Sequence, residues 1–566
     1  MHDLVIRGGT ILDGSGGDPF AGDIAVDGGR IAEAGGKAGP GRREIDAAGA
    51  LVTPGFVDVH THYDGQATWD NELAPSSWHG VTTVVMGNCG VGFAPARPDA
   101  HHALIRMMEG VEDIPGAALA EGLTWDWESF PEYLDALEAR PRAIDIAAQV
   151  PHCAVRAYAM GARGIANEPA GEEDVRLMAD IVREALEAGA RGFTTTRTTA
   201  HLTADGERVP GAFAEERELL GLADAVGKVG GRTIGWISDL DEEAYELDLL
   251  RRMAERANGR SWLTVVQRDE RPDQWESVLG YLEEAAADGV ALHAQVAARP
   301  VGLMLGLSAS LHPFSTMPAY REIAHLPLAE RVAILRRPDF RARLLGERRN
   351  HRSRLMQDVT GGFHKMFTLG DPPDYEPAPE SSVLAEAERK GCDPRELVLD
   401  RMLEREGREL IFFPFVNYSR LDHGDIRRMM DHPRTVLGLG DGGAHCGLIS
   451  DASIPTYVLT HWGRDRSRGP GFPLPRLVKA QTAETAALYG FSDRGRLEPG
   501  LRADINIIDF ERLRLRPPEM VHDLPAGGRR LVQRAEGYRA TVCAGEVTFE
   551  EGEATGALPG RLARAA

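Results

Sequence analysis

Two segments carry residues whose types and spacing could do chemistry. In the first, Asp58-Val59-His60-Thr61-His62-Tyr63-Asp64 closes an apolar run over residues 51–58. That run reads as a β-strand, and strand residues two apart project to the same side. His60 and His62 therefore present an imidazole pair able to chelate one divalent ion. In the second segment, residues 437–445 (LGLGDGGAH), another apolar strand ends in Asp441. The glycines behind it, Gly442 and Gly443, let a substrate approach the backbone. Asp441 could ligate a metal and serve as general base toward water. Taken singly, each segment also fits a plainer role: two histidines capping a strand, and an aspartate making a turn.

Residues of this kind need elements to hold them. The first fifty residues read as short strands joined by glycine turns, with Asp27-Gly28-Gly29 as a hairpin signal, and so predict a small β module. From about residue 51 the texture changes. Strands at 51–58, 80–87, 193–196, 232–238, 262–267, 289–296 and 435–440 alternate with amphipathic helices at 172–188, 215–226, 245–257, 275–287 and 425–430. Such alternation predicts a parallel sheet, most economically a (β/α)8 TIM-like barrel, in which catalytic groups gather at the carboxyl ends of the strands. The alternation lapses over 313–410, where a helical insertion is expected; Asp393-Pro394-Arg395-Glu396 is a good helix start. Residues 500–508 (GLRADINII) return to β texture. The expected organisation is a barrel over 53–496 interrupting a β-sandwich-type domain built from 1–52 and 497–566.

Composition narrows the function classes. The 566 residues include 64 basic and 86 acidic side chains, a net charge of −22. A surface so acidic repels phosphate backbones and anionic lipid, so neither nucleic acid nor a membrane is expected as partner. The longest apolar stretches, such as 411–416, fall far short of the ~20 residues that cross a bilayer. Residues 1–7 read as a strand rather than a leader. The five cysteines are odd in number and widely spaced without a CxxC pair, which argues against a disulfide framework and for a reducing cytoplasm. Lysine is scarce, with Lys37, Lys228, Lys365, Lys390 and Lys479 the whole complement. A homo-oligomer is left open.

The stretch LVTPGFVDVHTH (51–62) resembles the opening barrel strand of the amidohydrolase superfamily, and GRLEPGLRADINIIDFE (495–511) resembles its closing segment. Within the superfamily, Met86-Gly87-Asn88-Cys89-Gly90 and Asp441-Gly442-Gly443-Ala444-His445 are similar to the D-aminoacylase branch, the N-acyl-D-amino-acid deacylases. The resemblance implies His60 and His62 as the first-strand metal pair. It implies Cys89 as a zinc ligand where many relatives use a carboxylated lysine, and Asp441 as the aspartate that activates the attacking water. The fourth-strand candidate (192–197) has no lysine to carboxylate. One departure stands out: the family places a histidine at the ends of strands five and six, and here 233–239 and 263–269 contain none. The expected cofactor is thus one divalent ion, Zn2+, rather than two.

Other residues are candidates for the same rim. His201, just after strand four, could substitute as a ligand. His445, four residues past Asp441, is expected beside the substrate. Arg197 and Arg299, after strands four and seven, could bind a substrate carboxylate through the guanidinium fork. The expected activity is metal-dependent hydrolysis of a small-molecule amide, resembling N-acyl-D-amino-acid deacylation. A cyclic-amide or other specialised amide hydrolase is the alternative, and a catalytically silent scaffold of the same fold is the third reading.

Overall fold

The computed structural model describes residues 1–348, 351 and 353–566; positions 349, 350 and 352, inside the expected helical insertion, lie outside the described residues. Helices and strands alternate largely where hydrophobic periodicity places them. Helix Glu172–Glu187 is representative: Glu172, Glu173 and Asp174 fill its first turn, and it buries Met178, Val182, Ala185 and Leu186. Acids at the amino end complement the helix dipole, and the buried spacing is that of one helical face.

Nine stretches of parallel strand follow one another among the described residues, the third and fourth parted by a single residue. Phe56–Asp58, Val81–Met86 and Asp145–Ala148 form one parallel sheet. Val150–Pro151, Gly192–Arg197, Thr233–Ser238, Ser261–Thr264, Leu292–Val296 and Thr435–Leu437 form a second. The two are continuous through Gln149, which separates Asp145–Ala148 from Val150–Pro151. At the other edge, beyond the last strand, Asp441 N–H donates to His60 O at 2.9 Å and His62 N–H donates to Gly442 O at 2.7 Å. Trp236 and Trp262 are both fully buried among these strands.

The two ends of the chain share a nine-stranded sheet. Leu51–Pro54, the strand that leads into the parallel set, pairs antiparallel with Ile505–Ile508. This sheet is tied to the amino ends of the parallel strands by one buried carboxylate. Asp145 accepts from Arg494 Nη1 at 2.7 Å, Arg502 Nη2 at 2.8 Å and the Arg561 backbone N–H at 2.8 Å. The last residues then run back along the parallel set, bridging Arg142 and Ile146.

Between Leu292–Val296 and Thr435–Leu437 the chain makes a long excursion. Strands Gly302–Leu305, Phe367–Thr368 and Ile411–Pro414 pair antiparallel around it. Short helices such as Leu328–Leu335, Pro338–Gly346 and Pro394–Met402 bury their own apolar cluster, including Phe314, Leu335, Val398 and Met402. The helix predicted from Asp393 begins as expected, with the Asp393 carboxylate accepting from Arg395 N–H at 2.8 Å. Glu376 docks this excursion onto the rest of the fold: its two oxygens accept from Arg466 at 3.0 Å each, and His461 Nε2 lies 3.0 Å away.

A second buried carboxylate braces the strand ends near Pro151. Glu218, on helix Glu216–Val229, lies 2.9 Å from His152 Nε2 and is paired with Arg156. Burial alone would raise its pKa, but hydrogen bonding and charge from His152 and Arg156 win and pull it from 4.5 down to about 2. A depressed folded-state value means the unfolded chain binds the proton first. The stabilisation is therefore complete above about pH 4.5 and fades as pH falls toward 2. Its size is roughly 3 kcal/mol, at about 1.4 kcal/mol per pH unit of displacement. Glu218→Gln is expected to lower the denaturation midpoint at pH 7 by an amount of that order and to flatten its decline between pH 4.5 and 2. Denaturant melts of both proteins at pH 7 and pH 3 check this; equal acid sensitivity would remove Glu218 as the cause.

Candidate metal centre and active site

His60 and His62 follow the first parallel strand, and their backbones are fixed by the hydrogen bonds to Asp441 and Gly442 described above. Both rings are buried, at 1% exposure. Each directs Nε2 toward the same spot. His60 Nε2 lies 3.4 Å from Cys89 Sγ and 3.4 Å from Asp441 Oδ1, and His62 Nε2 lies 3.7 Å from that same oxygen. The opposite ring atoms face supporting groups: His60 Nδ1 is 2.7 Å from Gln295 Oε1, and His62 Nδ1 is 3.2 Å from Glu112 Oε1. Trp262 closes the side beneath His60, edge-on, with ring centres 5.8 Å apart.

Cys89 reaches this spot from a turn after Val81–Met86 that its neighbours build. The Asn88 amide donates to Thr61 O at 3.0 Å and Val85 O at 2.9 Å, while its own oxygen accepts from Gln149. Thr194 Oγ1 accepts from Gly90 N–H at 3.1 Å and donates to Gly87 O at 2.5 Å. A Cβ on Gly90 would stand 2.9 Å from the Thr195 backbone, so only glycine fits there. The MGNCG motif is thus a turn template for a thiol.

Strained backbone concentrates here. Cys89, Asp441 and His445 all occupy the left-handed region, at φ of +58°, +46° and +49°. Such residues cost of order 1–3 kcal/mol each and persist where the surroundings over-determine them, often at functional sites. Gly443, at φ +88°, lies against His62 O, which a Cβ would approach to 2.8 Å.

The electrostatics follow from burial and crowding. Burial holds His60 down at about 4. His62 moves the other way: Glu112, Asp441 and Cys89 outweigh its burial and raise it well above the ordinary value. Burial raises Asp441, yet the surrounding imidazoles of His62, His60 and His445 overcome it and hold the carboxyl at about 2, ionised. Burial pushes the Cys89 thiol up to about 11, against the pull of His62. Among the described residues, donor atoms of His60, His62 and Cys89 come within 4.8 Å of one another. Thiolate and imidazole together form a donor set suited to a soft divalent ion. Glu376, His423 and His461 form a second such trio. There the carboxylate is already held through both oxygens by Arg466, and the group reads as a hydrogen-bonded clamp.

The remaining sequence candidates divide. His445 stands at the rim, its side chain 29% exposed, with Nε2 at 3.6 Å from Glu112 Oε2. His201 is partly buried, its Nδ1 3.0 Å from Thr196 Oγ1. Burial, and then its neighbours His445 and His62, push it down to about 3, so it is a neutral ring beside the centre rather than one of the clustered donors. Both arginines are turned inward. Arg197 Nε donates to both oxygens of Glu246, at 2.8 and 2.7 Å, and Nη1 to Ala214 O. Arg299, fully buried, donates to Asp451 Oδ1 at 2.9 Å and Ser450 O at 2.6 Å and stacks on Tyr375 at 4.0 Å. Their forks serve internal carbonyls and carboxylates. Strands Thr233–Ser238 and Ser261–Thr264 carry no histidine, as the sequence indicated, and their ends are otherwise engaged. Asp239 accepts from Thr198 and Thr199, and Gln267 bonds Asn417 and Asp425.

Two residues of the centre escaped the sequence reading. Glu112, 1% exposed, ends helix His101–Glu112. Gln295 lies in strand Leu292–Val296. No local signal marks either one, because the partner that gives each its role, His62 for Glu112 and His60 for Gln295, lies far away in the chain.

Comparison with known proteins gives the family. Residues 43–549 match the family described as "Amidohydrolase family". A D-aminoacylase from Alcaligenes xylosoxydans xylosoxydans is 28% identical over 577 residues, covering 100% of this chain and 98% of the relative. An N-acyl-D-glutamate deacylase from the same organism is 28% identical over 526 residues, covering 90% of this chain and 88% of the relative. Among solved structures, an N-acyl-D-glutamate deacylase from Bordetella bronchiseptica, complexed with zinc and a phosphonate inhibitor, superposes with a TM-score of 0.66 at 24% identity over the whole of both chains. The chain belongs to the amidohydrolase family, and is a hydrolase of carbon–nitrogen bonds other than peptide bonds.

Proposed function

We propose that this chain hydrolyses N-acyl-D-amino acids with one zinc ion held by His60, His62 and Cys89, with Asp441 beside it. The observation that carries the reading is that donor atoms of His60, His62 and Cys89 come within 4.8 Å of one another, with Asp441 Oδ1 3.4 Å from His60 Nε2 and 3.7 Å from His62 Nε2. Ligand bonds of about 2.0–2.3 Å arranged tetrahedrally set separations of roughly 3.3–3.7 Å between donors, so His60, His62 and Cys89 suit three positions of such an ion and leave the fourth for water beside Asp441. The thiolate and imidazoles favour zinc over magnesium or calcium. The whole-length likeness to D-amino-acid deacylases supports the substrate class. With the site at the strand ends, we further propose that the eight parallel strands close into a TIM-like barrel over about 53–496, carrying a helical insertion at 313–410. A sandwich-type β domain from 1–52 and 497–566 flanks it. A cytoplasmic location accords with the unpaired cysteines.

Bound zinc would supply Lewis acidity toward the amide carbonyl and toward water. The chain's own groups do the rest. Asp441, ionised and 9% exposed at its side chain, takes a proton from the attacking water and returns it to the leaving amine nitrogen. Glycines 442 and 443, expected to clear the backbone for a substrate, instead answer to the protein's own packing: a Cβ would run into Ser76 and Tyr63 at the first and into His62 O at the second. His445, at the rim, is placed to hydrogen-bond the scissile amide or its leaving group. Neutral His201 offers one further hydrogen bond from the opposite loop.

Asp441→Asn is expected to cut kcat on an N-acyl-D-amino acid by 10²–10⁴-fold, the usual worth of a general base, while metal analysis still finds zinc on His60, His62 and Cys89. Near-normal turnover in that variant would sink the assignment. A panel of N-acyl-D- and N-acyl-L-amino acids tests the substrate class. We expect hydrolysis of D substrates, loss of activity with a chelator, and recovery on adding zinc; a panel in which only L or cyclic amides react would overturn it. Cys89→Ser is expected to weaken zinc binding and to abolish the thiolate-to-cobalt absorption of the cobalt-substituted protein. An unchanged cobalt spectrum would remove Cys89 from the ligand set.

A further inference from the structure

We infer that Glu112 is a positioning residue for this centre, holding His62 by its Nδ1 so that Nε2 is the nitrogen left to ligate. The inference rests on the metal-centre reading above. Glu112 is the last residue of helix His101–Glu112, and is 1% exposed beside a ring that is itself 1% exposed. Its Oε1 lies 3.2 Å from His62 Nδ1. Neither that nitrogen nor either Glu112 oxygen has an aligned hydrogen bond among the described residues. A buried carboxylate without hydrogen bonds is costly, and so is a buried ring nitrogen. A small rotation of the ring satisfies both, with Nδ1–H donating to Oε1. That rotation fixes the tautomer and leaves the Nε2 lone pair facing Asp441 and Cys89.

His60 shows the same arrangement with a different acceptor, since its Nδ1 faces Gln295 Oε1 at 2.7 Å. Both histidines of the pair are therefore braced from behind, one by an amide on strand Leu292–Val296 and one by a carboxylate on a helix. A ligating imidazole whose second nitrogen is held by a carboxylate is better oriented and more basic, and loss of such a partner typically weakens metal binding 10–100-fold. The other Glu112 oxygen lies 3.6 Å from His445 Nε2, beyond hydrogen-bond distance; Oε1 alone carries the inference.

The test is cobalt(II) titration of the full-length, metal-stripped protein, followed by the thiolate-to-cobalt absorption. Glu112→Leu, which removes the acceptor and suits a buried site, is expected to bind cobalt 10–100-fold more weakly than the native protein. Glu112→Gln, which keeps a carbonyl acceptor, is expected to recover part of that loss. Melting curves of the metal-free proteins separate binding from folding. Cobalt affinity undiminished in Glu112→Leu overturns the role of Glu112 alone. A native protein that takes up no cobalt overturns the metal-centre reading instead, and this inference with it. Ring-nitrogen NMR of the zinc-loaded native protein gives the same answer without a variant: the expected result is a proton on Nδ1 of His62, and a proton on Nε2 refutes the proposal.

Discussion

Everything at the centre depends on a register fixed by two backbone hydrogen bonds. Asp441 N–H to His60 O and His62 N–H to Gly442 O lock the strand end that carries the imidazoles to the one that carries the acid. Neither segment can slide without separating the donors, because a one-residue slip in a strand sends every side chain to the opposite face. The residues that follow give way to keep this register. Asp441 and His445 take left-handed backbone, and position 443 must be glycine because His62 O occupies the space of a Cβ. The strain is local and is offset by the rest of the fold. Asp145 ties the far end of the strands to the terminal sheet through Arg494 and Arg502, and Glu218 braces the strand ends near Pro151.

Burial supplies the chemical contrast at the site. The same desolvation acts on every group there, yet His60 falls, His62 rises and Asp441 stays ionised, because each has different neighbours. A cluster of imidazoles around one carboxylate keeps that carboxylate charged in a dry environment. This is the condition for a base that must accept a proton at neutral pH without being protonated at rest. Beside it Cys89, raised by burial, is a thiol that only a strong positive partner would ionise. The pairing suits amide hydrolysis, and it leaves a silent scaffold hard to justify, since strained, buried, charged groups destabilise a fold that gains nothing from them.

What the sequence made legible was whatever its periodicity or local motif encodes. The spacing of His60 and His62, the MGNCG turn around Cys89 and the strand-then-glycine pattern at Asp441 all carry their geometry within a few residues. The helices that separate the parallel strands are found within a few residues of where their apolar faces predict. Glu112 and Gln295 were not legible, because each is defined by a partner far away in the chain and neither interrupts its element's pattern. Arg197 and Arg299 show the converse. An arginine after a strand looks alike in sequence whether it faces a substrate or a buried acid, and Glu246 and Asp451, which decide the matter, lie on other elements. The charge arithmetic could not separate them either.

The altered strands five and six bear on how many ions the proposed site can hold. Strands five and six carry Trp236 and Trp262 in place of any histidine within them, and among the described residues neither indole N–H has a hydrogen-bond partner. Indole has no lone pair to offer a metal. The polar groups at those strand ends are already committed: Asp239 to Thr198 and Thr199, Gln267 to Asn417 and Asp425. Trp262 also packs edge-on against His60. The substitution thus does more than delete ligands. It sets an apolar ring behind His60, and it accords with the proposal that one ion at His60, His62 and Cys89, beside Asp441, carries the chemistry.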